Sequence, residues 1–329
     1  MNNPSISVVM GVFDGAGLLP ETVDSVLKQT ERNFEFIIVN DGSTDSRVAQ
    51  ILTDYERRDG RVRIVSKSNE GLTKALIDGC AVARGAYIAR IDAGDVMLPE
   101  RLEKQKALLD RNPEVVFVSC WTEFCGPEWE SLYIYKGKGT LEGGESVLPD
   151  RPEENLRDVP CHHGSVMFRH DTYEAAGGYR WQFYYAQDWD LWYRLAERGL
   201  LAIIPEVLYR ARVFSTSISA INMDRQTAIV KQALSAFCCR RRGEPEMECL
   251  ASAAKIRSTG GLSEKRKDQG AGSHFIGELL RKKGDARCRR YFLKALRVNF
   301  FRFNTWIRLL QSFHGINARS SEPADRNAI

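Results

Sequence analysis

The chain has 329 residues, 43% of them hydrophobic and 27% charged, a globular composition with enough material for one large domain or one domain with a smaller attachment. No uncharged apolar run approaches the roughly 18 residues that a membrane-spanning helix needs, and "MNNPSISVVM" carries no secretory signal, so the eight cysteines, without a C-x-x-C pair, are expected as reduced thiols of a cytoplasmic protein. The net charge of +4 is uneven: Arg240 to Arg308 holds 18 Lys/Arg against 7 Asp/Glu, a surplus of 11 that leaves −7 for the rest. A basic tail on an acidic body suggests an anionic partner, membrane surface or nucleic acid, and a solvated helical face is the alternative.

In chain order, "ISVVMGVF" (6–13) is a β-branched strand and "LLPETVDSVLKQT" (18–30) has helical spacing. "FEFIIVN" (34–40) is a second strand, followed by a helix that Ser43 or Thr44 can cap. "VRIVSK" (62–67) and "GLTKALIDGCAVARG" (71–85) repeat the pair, with Gly85 at the expected helix C-cap. "AYIARID" (86–92) is the fourth strand, "LPERLEKQKALLDRNP" (98–113) a helix opened by Pro99, and "VVFVSCW" (115–121) the fifth strand. Strands without polar alternation, each followed by a helix, predict an α/β fold with a mostly parallel sheet flanked by helices. Ligands of such sheets bind beyond the carboxyl ends of the strands, here Phe13 to Gly15, Asp41-Gly42, Ser68-Asn69 and Asp92 to Asp95.

Past about residue 125 the rhythm breaks into a turn-rich stretch (126–154), irregular or hairpin-like. "GSVMFRH" (164–170) is strand-like, "AQDWDLWYRLAERG" (186–199) helical and "AIIPEVLYRARVF" (202–214) extended. From about 222 the pattern is helical, interrupted by the polar "STGGLSEKRKDQGAGS" (258–273), which reads as a mobile loop or linker.

Four groups could carry chemistry. Asp41 ends the second strand, where an acid accepts from a ribose or the imide N–H of a base; a turn role in D-G-S-T-D is the structural alternative. Asp92 and Asp95 of "RIDAGD" can bind a divalent cation and, through it, a diphosphate, or else Asp92 orients a ribose while Asp95 caps a helix. Asp188 and Asp190 stand two apart at a helix start, so only one can face a site as a general base while the other serves the helix. The pair His162-His163 lacks a second ligand cluster and is expected to line a pocket rather than hold a metal, with a plain structural role as the alternative.

The ordered stretches "ISVVMGVFDG", "SVLKQT", "FEFIIVNDGSTD", "NEGLTKALIDGCAVARGAYIARIDAGD", "PERLEKQ", "HHGSVMFR", "GGYR" and "QDWDLWYRL" together resemble the family 2 glycosyltransferases, inverting enzymes with a glycosyltransferase A fold, over about residues 5 to 213. The resemblance implies a nucleotide-diphospho-sugar transferase fold in which Val12, Phe13 and Asp14 cradle the base, Asp41 contacts ring or ribose, and Lys74 approaches the diphosphate. Asp92 and Asp95 would meet ribose, metal and phosphate, with Mg or Mn as the implied divalent cation, and Asp188 would be the base that deprotonates the acceptor hydroxyl. His162, His163, Gly178 and Tyr179 would form the acceptor side. The chain departs from the family at Gly11, where Pro is usual, at Asp14 and Asp78, where Asn is usual, at Gln187, where Glu is usual, and at Gly94, where the loop usually has a carboxylate.

With no Q-x-x-R-W stretch, a non-processive enzyme is implied: one sugar moves from a nucleotide-sugar, expected to be a UDP-sugar, to a hydroxyl of a glycan or lipid-linked acceptor, as in surface polysaccharide synthesis. Gly94 and Gln187 leave a catalytically impaired nucleotide-sugar-binding protein as an alternative, and an NAD-dependent dehydrogenase is disfavoured because "GAGLLP" lacks the last fingerprint glycine. The expected organisation is a catalytic domain over 1–220, a basic helical C-terminal region over 221–319 and a disordered tail over 320–329. The basic C-terminal helices are read either as packed against their neighbours or as a peripheral contact with the inner face of a membrane; no nucleic acid partner is expected.

Overall fold

The computed structural model describes residues 3–137, 162–214, 223–256 and 262–313; the tail expected at 320–329 and the part of the turn-rich stretch beyond 137 lie outside them. The chain divides into two compact units, one of residues 1–122, 135–211 and 227–256, the other of residues 123–134, 212–226 and 257–329.

The first unit is built on parallel strands β1 (Ile6–Val12), β2 (Phe34–Asp41), β3 (Val62–Lys67) and β4 (Tyr87–Arg90) in the order β3-β2-β1-β4. Residues 6 to 10 of β1 are buried without alternation, as are residues 34 to 39 of β2, because helices cover both faces. Helices α1 (Leu19–Leu27), α2 (Ser46–Arg58) and α3 (Leu72–Ala81) make the crossovers. The register pairs Val12 with Asn40 and Asp41 with Lys67, so the loops after β1, β2 and β3 leave the sheet along one edge.

Beyond β4 the parallel pattern is interrupted. The two-residue β5 (Val96–Met97) is followed by α4 (Arg101–Arg111) and by β6 (Val115–Cys125), which runs on into the second unit and pairs with β7 (Ser131–Tyr135), the hairpin expected of the turn-rich stretch. A short β8 (Met167–Arg169) inserts antiparallel between β4 and β6, with Phe168 opposite both Ile88 and Phe117. Strand β9 (Leu200–Arg212) pairs antiparallel with β5, which sets Tyr209 opposite Met97, just past the Asp92–Asp95 loop. The short helix α5 (His170–Ala175) follows β8, and α6 (Gln187–Ala196) lies on the sheet with Leu191, Trp192 and Leu195 packed among Val9, Val39, Ala75 and Ile88. That packing fixes the N-terminal end of α6, where Asp188 stands.

Local details differ from the sequence expectations for definite reasons. Asp45, not Ser43 or Thr44, caps α2, its carboxylate accepting from Arg47 N at 3.0 Å. Val82, not Gly85, caps α3; Gly85 comes later, its N–H donating to Ser7 Oγ at 2.8 Å. Helices α7 (Met223–Arg241) and α8 (Met247–Lys255) pack through Ile229, Ala233, Phe237 and Ala253 on Phe183, Ala186 and Tyr193, so they belong to the sheet unit and the division differs from a boundary at 220.

The second unit contains α9 (Leu262–Lys282), α10 (Cys288–Val298) and α11 (Phe303–Gln311), whose core gathers Ile276, Leu280, Tyr291, Phe292, Leu296 and Leu309 with Leu132. The loop expected over 258–273 is helical from Leu262. The glycines that suggested a break are contact points: a Cβ on Gly277 would lie 2.8 Å from the Phe292 ring, and one on Gly270 would lie 3.3 Å from Val298. They let α9 and α10 approach closely.

Candidate active site

The carboxyl edge of the sheet brings together most of the residues singled out from the sequence. Val12 is buried, and Phe13 beside it is 52% exposed. Asp14 has φ +57° and its carboxylate accepts from Thr44 N at 2.8 Å and Asp45 N at 3.0 Å, while its own N–H donates to Ser43 Oγ. It ties the loop after β1 to the loop after β2. Asp41 is buried, and its two oxygens accept from Glu70 N at 3.0 Å and Gly71 N at 2.8 Å, which ties the loop after β2 to the start of α3. A carboxylate has about four acceptor positions, so Asp41 keeps capacity for a ligand N–H or O–H. Lys74 Nζ pairs with Glu70 Oε1 at 2.5 Å, and Lys67 and Lys74 together hold the Glu70 carboxyl at about 2. Lys74 stands half-exposed on the first turn of α3.

The Asp92–Asp95 loop is held from several sides. Thr22 on α1 receives Gly94 N–H at 2.9 Å and donates to Asp95 O at 2.8 Å. Gly94 has φ +102°, a conformation that L side chains rarely adopt, and this accounts for glycine where the family usually places a carboxylate. Tyr209 OH accepts from Asp92 N at 3.1 Å and donates to Asp95 Oδ2 at 2.8 Å, so one hydroxyl joins both acids.

Arg90 is fully buried and donates to Val9 O at 2.8 Å, Ile91 O at 3.0 Å and Asp92 Oδ1 at 2.5 Å. Burial would raise the Asp92 carboxyl, but the Arg90 guanidinium beside it outweighs burial and holds it at about 2. A second fully buried guanidinium, Arg101, donates to Arg90 O and Val166 O and lies over the Tyr209 ring.

The two histidines divide their roles. His162 precedes a 3-10 turn (His163–Ser165) and stacks on Tyr209 at 5.4 Å between ring centres, and its Nδ1 comes within 3.9 Å of Asp95 Oδ2. Asp92, Asp95 and His162 each offer a ligand atom within 4.8 Å of the other two. Burial lowers the pKa of His162, so its ring is neutral near pH 7 and suited to ligation. The chain returns His162 to the loop acids from some seventy residues away, a proximity that its sequence position did not announce. Two carboxylates and a neutral imidazole form a donor set that fits a divalent cation. His163 turns inward: Arg90 Nε, which can only donate, faces its Nε2 at 3.4 Å, so Nε2 accepts and Tyr179 OH donates to it at 2.7 Å. Tyr179 is itself buried beside Gly178, its N–H donating to Tyr173 OH at 3.1 Å.

Asp188 and Asp190 separate as their spacing requires. Asp190 is fully buried and clamped by Arg180 and Arg194, whose Nη2 lies 2.6 Å from its carboxylate. Asp188, half-buried, accepts a local N–H bond from Trp189 at 3.0 Å. Burial pushes its carboxyl up to about 6, and the Asp92 charge adds to that shift, which places the two acids within electrostatic reach. A carboxylate at about 6 is ionised at neutral pH yet more basic than an ordinary aspartate. Beside it, Gln187 is buried and its Oε1 has no hydrogen-bond partner among the described residues. Arg90 and Tyr209 escaped sequence reasoning; a charge inside the apolar run "AYIARID" was the signal for Arg90, and Tyr209 left none.

Comparison with known proteins bears on the family and the fold. The sequence model of the family described as glycosyl transferase family 2 matches residues 7–173. EpsE of Bacillus subtilis is 31% identical over 218 residues, covering 64% of this chain and 74% of its own. Crystal structures of S. aureus TarS 1–349, alone (TM-score 0.54, 14% identity, 95% of this chain and 90% of that one) and with UDP (TM-score 0.50, 15% identity, the same coverage), share its fold. So does the mannosyltransferase PcManGT of Pyrobaculum calidifontis with GDP-Man and Mn2+ (TM-score 0.54, 14% identity, 96% and 86% covered), and the fold is the expected glycosyltransferase A type. The chain belongs to glycosyl transferase family 2 and is a glycosyltransferase.

Proposed function

We propose that the enzyme transfers one sugar, with inversion, from a nucleotide-sugar of the UDP type to a hydroxyl of a glycan or lipid-linked acceptor, as in surface polysaccharide synthesis. The observation that carries this reading is Asp188, a half-buried carboxylate raised to about 6 within electrostatic reach of Asp92 and, among the described residues, engaged by a local N–H bond and no cation. In the ionised form it takes the proton of the acceptor oxygen as that oxygen attacks the anomeric carbon opposite the leaving diphosphate, and configuration inverts in one displacement.

The donor is read at the edge of β1 and β2. Phe13, exposed beside buried Val12, offers a ring face to the base, Asp14 shapes that loop, and Asp41 accepts from base or ribose. Lys74, the one lysine of α3, stands on its first turn and can exchange Glu70 for a phosphate. Asp92, Asp95 and His162 would hold a divalent cation, Mg or Mn, which supplies charge neutralisation to the departing diphosphate. Arg90 and Tyr209 keep the first two of these acids in place. The UDP and GDP-Man complexes of the fold relatives support a nucleotide-sugar donor, and the Mn2+ of PcManGT supports the cation. His163, Gly178 and Tyr179 support the acceptor side from within, and the basic C-terminal helices extend the reading to peripheral membrane contact at the cytoplasmic face.

The test is a thermal-shift screen of sugar nucleotides with and without Mn2+, followed by transfer assays with the donor that binds. A donor that raises the melting temperature only with Mn2+ and turns over with inverted product supports the proposal. Saturable binding without transfer or hydrolysis across acceptors would establish a binding protein instead.

A further inference from the structure

The second unit carries a surface that its own fold does not use. Eight of the twelve exposed large hydrophobic side chains among the described residues fall between 293 and 313. Phe300, Phe301 and Phe303 are 64%, 77% and 73% exposed, and Ile307, Leu310 and Phe313 lie half or more in solvent. Helix α11 is apolar on two opposite faces. Thr305 and Leu309 turn inward, while Phe303, Ile307 and Leu310, at i, i+4 and i+7, form one outward stripe. The turn from Asn299 to Arg302 is braced: Trp306 Nε1 donates to Phe300 O at 2.9 Å, and the Phe300 ring meets the Phe301 and Trp306 rings edge-on at 5.9 and 5.3 Å. The two most exposed rings are thus presented from a fixed corner.

Charge identifies the occupant. Residues 286 to 313 contain no Asp or Glu and seven Lys/Arg. Arg287, Arg290 and Arg308 have acidic partners within the unit, but Lys294, Arg297 and Arg302 make no ion pair among the described residues. A second copy docked on this face about a two-fold axis would set cations against cations. An anionic bilayer accepts both halves of the surface, the rings among the acyl chains and the guanidinium groups among the headgroups.

We infer that the convex surface of α10, the Asn299–Arg302 turn and α11 is a docking face for anionic phospholipid. It names the lipid chemistry and the residues of the peripheral contact proposed above, and it is read without donor or acceptor, so its failure is distinct from failure of the transfer reaction. The experiment floats the full chain with vesicles of phosphatidylcholine containing one third phosphatidylglycerol, and with pure phosphatidylcholine. Binding to the anionic vesicles, weakened by salt, is expected. Phe301→Ser with Phe303→Ser should reduce it about tenfold or more. Arg297→Ser with Arg302→Ser should reduce it by about fivefold per cation. Both variants should keep the wild-type melting temperature, because Arg297, Phe301 and Phe303 are exposed and Arg302 is only partly covered and makes no ion pair among the described residues. Absent vesicle binding overturns the inference, as does equal binding by the variants. A dimer dispersed by the phenylalanine changes, or oligonucleotide retention in place of vesicle binding, would overturn it in favour of another occupant.

Discussion

If Asp188 is the base, its raised pKa has a cost that a single substitution should expose. The carboxyl is lifted from 3.8 to about 6, chiefly by burial, so its ionised form is less favourable in the folded protein than in the unfolded chain. The shift of about 2 units corresponds to about 3 kcal/mol, at about 1.4 kcal/mol per unit. For an acid whose folded pKa is raised, this penalty is complete above pH 6, shrinks as pH falls through 6, and is gone below the unfolded value near 4. Asp188→Asn keeps the size of the side chain and an oxygen for the Trp189 N–H while removing the charge. The variant should therefore be about 2–3 kcal/mol more stable than wild type at pH 8 and equal to it at pH 4, measured by urea denaturation without donor or divalent cation. Its transfer rate should fall by a factor of about 10² to 10⁴, and wild-type activity should decline below pH 6 with a single protonation. A variant no more stable at pH 8, with a pH-independent difference, would refute the burial argument; intact turnover would refute the base.

Three further substitutions probe the frame around it. Arg90→Leu leaves Asp92 without its buried partner and should cost about 3–5 kcal/mol in urea denaturation. His162→Ala should weaken Mn2+ binding by about tenfold or more in calorimetric titration while leaving the fold intact, since the ring packs on Tyr209 at the edge of the site. Gly94→Asp, which restores the family's usual loop composition, should lower stability by about 1–3 kcal/mol through strain at φ +102° and bring no gain in Mn2+ affinity.

The parallel half of the sheet was readable because burial on both faces removes polar alternation from β1 and β2, and such strands have few other interpretations. Asp92, Asp95 and Asp188 were readable because they end a strand or begin a helix, where side chains face the carboxyl edge. What escaped depends on contacts made far along the chain. Tyr209 reaches Asp92 and Asp95 across more than a hundred residues, and nothing in "AIIPEVLYRARVF" distinguishes it from a strand tyrosine. The three-residue β8 is too short to declare its direction, yet its antiparallel insertion follows directly on the turn that carries His162 to the acidic loop. Gly270 and Gly277 misled because the same residue type marks a chain break and a close helix contact, and only the partner helix tells them apart.

The same contacts explain why this loop works with glycine at position 94. Two carboxylates on the loop and a third at Asp188 stand in one site, the Arg90 guanidinium is bound to Asp92, and burial lowers the pKa of His162 and His163. Three carboxylates gathered at one edge would by themselves repel a diphosphate. A third loop carboxylate would deepen that repulsion and strain the backbone at once. A neutral imidazole adds a ligand atom without adding charge. On this argument His162 supplies what the usual loop acid supplies elsewhere in the family, and Arg90, by cancelling one of the acids from inside the sheet, sets how much positive charge the donor complex must bring with it.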